Sequence, residues 1–62
     1  MKTIQIEMKQ LIPPEVTILQ SDGKYKVVTV TERAINANVE HSFVDYFESI
    51  EEAEEYAKRI QN

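Results

Sequence analysis

Val16-Thr17-Ile18-Leu19, then Gln20-Ser21-Asp22-Gly23-Lys24, then Tyr25-Lys26-Val27-Val28-Thr29-Val30-Thr31 is the stretch that decides the fold. Two runs rich in β-branched residues flank an Asp-Gly pair, and Gly23 is the only glycine in the chain. Asp-Gly supplies the positive φ that a tight hairpin turn requires, so the two runs are predicted to pair antiparallel. In the second run Tyr25, Val27 and Thr29 share one face and Lys26, Val28 and Val30 the other. Both faces carry apolar surface, which marks a central strand.

Before the hairpin, residues 3–9 alternate, with Ile4, Ile6 and Met8 on one side and Thr3, Gln5, Glu7 and Lys9 on the other. This is the period-two pattern of a half-buried strand. Pro13-Pro14 then predicts a break between elements, a loop over 10–14, because proline lacks a backbone donor and biases its predecessor toward extended backbone. A strand set apart in this way can add to its own sheet or to that of a second chain.

After Arg33 two registers compete. Either a tight turn near 32–34 feeds a long strand from 35, or Asn36 and Asn38 make the turn and the strand starts at Val39. Asparagine tolerates left-handed backbone, which favours the second. Val39 to Phe47 is strand in both. Ser49 is a good N-cap with Glu52 three residues on, and Ile50, Ala53, Ala57 and Ile60 recur at helical spacing, predicting a helix over 50–61. Glu51, Glu52, Glu54 and Glu55 crowd its start and Lys58 and Arg59 its end, as the helix dipole favours, with Glu54–Lys58 and Glu55–Arg59 as i,i+4 pairs.

The expected fold is α+β: a three- or four-stranded antiparallel sheet with one C-terminal helix packed on one face, forming a single domain over residues 1–62. Ile50, Ala53, Ala57 and Ile60 are expected to meet Val27, Val39 and Phe43, leaving the opposite face as the working surface.

Composition narrows the function. The chain has 62 residues and no cysteine, so neither a disulfide framework nor a thiolate metal site supports its thin core. Its first residues alternate rather than form an apolar run, and no segment is long enough to cross a bilayer, which leads to an expected cytoplasmic location away from membranes. The net charge is −4, and Glu40, Asp45, Glu48, Glu51, Glu52, Glu54 and Glu55 fall in a stretch with no Lys or Arg. That charge argues against binding nucleic acid, whose phosphates are held by Lys and Arg.

His41 is the lone histidine, so no histidine pair can hold a metal, and no serine has an evident base beside it. A general base assisted by Glu40 or Asp45 would need a pocket that so small a domain rarely builds. No catalytic, cofactor-binding or metal-binding residue is assigned, and the chain is read as no enzyme. The candidate contact residues are Tyr25 and Tyr46, aromatic rings that suit a protein contact, and Glu51, Glu52, Glu54 and Glu55, whose carboxylates can imitate a phosphate backbone. Capping and dipole compensation explain those four glutamates without a partner.

The segment from Gly23 to Ile60, Gly-Lys-Tyr-Lys-Val-Val followed by a strand and Ser49-Ile50-Glu51-Glu52-Ala53-Glu54-Glu55-Tyr56-Ala57, resembles the strand–strand–helix pattern of small bacterial and phage domains, HicB-type antitoxins among them. The glycine-rich stretch of those proteins is replaced here by Phe43-Val44-Asp45-Tyr46-Phe47, and no functional residue is carried over. The reading is a non-enzymatic protein-interaction module, an accessory or inhibitory factor whose partner is a foreign protein or a second copy in a homodimer. The alternative is an antitoxin-like nucleic-acid-associated regulator acting as a dimer.

Overall fold

The structure, a computed structural model, describes Thr3 and residues 5–62. Three strands, β1 (Met8–Ser21), β2 (Lys24–Ala34) and β3 (Glu40–Phe47), form one antiparallel sheet in the order β1-β2-β3, and α1 (Ile50–Gln61) follows. The architecture is the expected α+β one, with three strands and a C-terminal helix packed on one face. β2 is the central strand, as its two apolar faces required. No helix among the described residues is long and apolar enough to cross a membrane.

The hairpin forms as read. Asp22 (φ 50°) and Gly23 (φ 75°) both take positive φ, the conformation of a type I′ turn, with Ser21 paired to Lys24.

Around the two prolines the structure corrects the sequence reading. The loop expected at 10–14 lies inside β1, which runs without interruption from Met8 to Ser21. Gln10 pairs with Glu32 and Glu15 with Val30, so Leu11 to Pro14 bulge out opposite Thr31 alone. An edge strand tolerates residues without an N–H when a bulge takes them out of the ladder. Ile12–Pro13 is cis. The strand expected over 3–9 begins only at Met8, and its Met1, Lys2 and Ile4 positions lie outside the described residues. Met8, Lys9 and Gln10 pair with β2 of the same chain.

Of the two registers after Arg33, the second is observed: Ala34 N–H bonds to the Val39 carbonyl at 2.8 Å and residues 35–38 make the turn. The mechanism differs from the expected one. Among the described non-glycine residues only Asp22 has positive φ, so neither asparagine uses the left-handed region. Asn36 works through its side chain, whose Nδ2 donates to the Gln5 carbonyl at 2.8 Å and whose Oδ1 accepts the Glu7 N–H at 3.0 Å. With the Ile35 N–H bond to the Glu7 carbonyl (2.9 Å), this ties residues 5–7 to the turn.

Ser49 caps α1, its hydroxyl accepting the Glu52 N–H at 3.2 Å. Ala53 and Val27 are fully buried, and Ile50, Ala57 and Ile60 are half-buried, so the apolar stripe of the helix faces the sheet as predicted. The expected partners Val39 and Phe43 are exposed. The helix begins just past Phe47, at the hairpin end of the sheet, and packs chiefly against β1 rather than along β3. On β3 Tyr56 meets Phe47 and Asp45, and Phe43 and Val39 are left uncovered.

The result is a slab of 50 × 27 × 10 Å with a radius of gyration of 14.5 Å. A compact chain of 62 residues has a radius of gyration of about 11 Å. The fully or nearly buried apolar side chains are few: Val27, Val30, Ala34 and Ala53.

Candidate functional site

Pairing partners in a ladder share a face, so the register sorts the side chains of the sheet. On the helix face, Gln20, Tyr25 and Phe47 form one row, Ile18, Val27 and Asp45 the next, and Val16, Thr29 and Phe43 a third. Tyr56 stands over the first two. Its ring lies 5.1 Å from that of Phe47, tilted by 44°, and its hydroxyl donates to Asp45 Oδ2 at 2.7 Å. Donation to a carboxylate favours the neutral phenol and raises the Tyr56 pKa.

Among the described residues no element packs over the other face, although Val30 on it is buried. There Leu19, Lys26 and Tyr46 form the first row, Thr17, Val28 and Val44 the second, and Glu15, Val30 and Ser42 the third. Five of these nine side chains are apolar or aromatic and lie side by side across all three strands. Leu19 is 49% exposed, Val44 46% and Tyr46 62%.

A polar clamp bounds the patch beyond its third row. The two terminal nitrogens of Arg33 meet the two carboxylate oxygens of Glu15 on β1, while Nε donates to Glu40 Oε2 on β3 at 3.3 Å. One guanidinium thus ties both edge strands to the centre where β1 and β2 each bulge: Leu11 to Pro14 from β1, and Thr31 from β2 against β3. The Arg33 hydrogen bonds hold the Glu15 carboxyl below the usual carboxylate range and push the guanidinium pKa up. The sequence carried no signal for this trio, whose members lie seven and eighteen residues apart.

The sequence candidates separate accordingly. Tyr46 lies on the open face, whereas Tyr25 lies half-buried on the helix face beside Phe47, so the two do not form one aromatic surface. Glu51, Glu52, Glu54 and Glu55 are exposed on the helix, away from the open face. Glu55 pairs with Arg59 at 2.9 Å; Glu54 and Lys58 form no ion pair among the described residues.

His41 is exposed, and its Nδ1 stands 3.9 Å from Glu32 Oε2 across the ladder, so its neighbouring carboxylate is Glu32 rather than Glu40 or Asp45. Around the 34–39 turn, Arg33, Asn36, Asn38 and Glu40 line a depression wide open to solvent. No three metal-ligating side chains converge among the described residues.

No protein-family model, curated protein or solved structure matches the chain.

Proposed function

We propose that this chain is a small non-catalytic interaction module, an accessory or inhibitory factor that acts by contact, and that its contact surface is the open face of the sheet. The observation that carries this reading is the apolar patch of Leu19, Val28, Val44 and Tyr46, which spans three strands with no covering element in a chain that has little core of its own. An apolar surface with Val28 at its middle, an exposed tyrosine on its β3 side and charges among and around it has the composition of a protein contact. Of the basic residues on this face, Arg33 is engaged by two carboxylates, which favours a protein over a phosphate backbone as the occupant.

The test compares the wild-type chain with Tyr46→Glu as immobilised bait, with Glu51, Glu52, Glu54 and Glu55 all changed to Gln in a third sample. The expected result is that whatever the wild type retains is lost by Tyr46→Glu and kept by the glutamine variant. Retention by Tyr46→Glu with loss by the glutamine variant would move the contact to the acidic helix.

A further inference from the structure

We infer that the open face is shaped for a second copy of this chain, stacked sheet on sheet about a two-fold axis that runs across the strands. This rests on the reading of that face as a contact surface and names its occupant.

Area is the first argument. The chain exposes 5150 Å², whereas a compact monomer of 7.2 kDa exposes about 4,100 Å². The surplus of about 1,000 Å² is comparable to the roughly 800 Å² that each partner contributes to a stable interface. Two slabs, each a sheet with a helix on one side only, stack into a four-layer body with the sheets inside, and the part of that surplus at Leu19, Val28, Val44 and Tyr46 is covered. The sheet edges offer less. Pro13, Pro14 and the bulge obstruct β1, and pairing through β3 would leave Leu19, Val44 and Tyr46 in water.

Charge then selects the orientation. An axis parallel to the strands keeps the rows in order and sets Lys26 against Lys26 of the second copy within the apolar patch. An axis across the strands lays the first row over the third, setting Lys26 over Val30 and Leu19 over Glu15 of the second copy, with the Lys26 ammonium one strand away from that Glu15, while Val28 meets Val28 and Val44 meets Val44. Opposite charges are neighbours in the second arrangement and like charges meet in the first, so complementarity favours the second. The Lys26 stem is half-buried already, which allows its ammonium to reach the rim.

The experiment is sedimentation equilibrium from about 1 μM to about 1 mM. The expected result is a mass rising to twice 7.2 kDa, with Val44→Glu and Tyr46→Glu each weakening association by about tenfold or more and Phe43→Glu, on the helix face, leaving it unchanged. Far-ultraviolet circular dichroism reports whether each variant is folded. Should Val44→Glu unfold, Val44→Cys in this otherwise cysteine-free chain replaces it. With the sheets stacked about 10 Å apart and both side chains pointing inward, the two thiols come closer than that spacing, within reach of a short bismaleimide.

A dimer that survives Tyr46→Glu, a dimer lost in Phe43→Glu, or a Val44→Cys chain that gives no bismaleimide-linked pair overturns the proposal. A monomer at every concentration also overturns it, while loss of a foreign partner by Tyr46→Glu bait would still uphold the open face as a contact surface.

Discussion

The Tyr56 hydroxyl donates a 2.7 Å hydrogen bond to Asp45 on the edge strand β3, fixing the helix over the hairpin end of the sheet. This bond and the Phe47–Tyr56 ring contact lie on the covered face beside the buried Val27 and Ala53. Tyr56→Phe keeps the ring and removes the bond. It is expected to cost about 1 kcal/mol, below the usual range for a bond to a charged acceptor because the pair is only part-buried. The folded Tyr56 pKa is raised, so this stabilisation is fully present below the unfolded value near 10 and is lost as pH rises through the folded one. Urea unfolding should show the wild type losing its advantage over Tyr56→Phe above about pH 10.

The Arg33 clamp produces a pH dependence of the opposite sense. The folded Glu15 pKa is depressed, so its contribution is present above the ordinary carboxylate range and is lost as pH falls through the folded value. Thermal melts between neutral pH and about pH 3 are expected to show a shallower acid decline for Glu15→Gln than for the wild type. Equal declines would mean that the clamp adds nothing to stability.

Thr29 is buried on the helix face, and its Oγ1 has no hydrogen-bond partner among the described residues. Valine has nearly the same shape and suits a central strand. Thr29→Val is therefore expected to stabilise the fold by about 1 kcal/mol, seen as a higher urea midpoint at unchanged slope. A loss of stability would show that the hydroxyl has a partner in solution.

Asn36 stands in for a stretch of strand backbone, accepting from the Glu7 N–H and donating to the Gln5 carbonyl. Asn36→Ala is expected to release residues 5–7, giving faster amide exchange at Glu7 and little change at Val27 in the middle of the sheet. Unchanged exchange at Glu7 would deny the side chain this role.

Local rules made much of this fold legible. Asp22-Gly23 fixed the hairpin, Ser49 the start of the helix, and the spacing of Ile50, Ala53, Ala57 and Ile60 its buried stripe. The misreadings came where tertiary geometry overrides a local rule. Pro13-Pro14 stops a central strand but not an edge strand that bulges, and pairing across a bulge cannot be read from one strand alone. Phe43 has the parity of Phe47 yet is 63% exposed, because parity assigns a face and not the reach of the helix above it. For the proposed contact surface, the alternation within β3 put Tyr46 on the face opposite Phe47, whereas the Arg33 trio needed the register of all three strands.

The most direct measurement of the central claim is a dilution series of two-dimensional NMR spectra on the uniformly labelled chain. The expected result is that the resonances moving with concentration are those of Leu19, Lys26, Val28, Val44 and Tyr46, while Val27 and Ala53, buried between sheet and helix, stay in place. Spectra that do not change, or changes centred on Phe43 and His41 of the helix face, would contradict it.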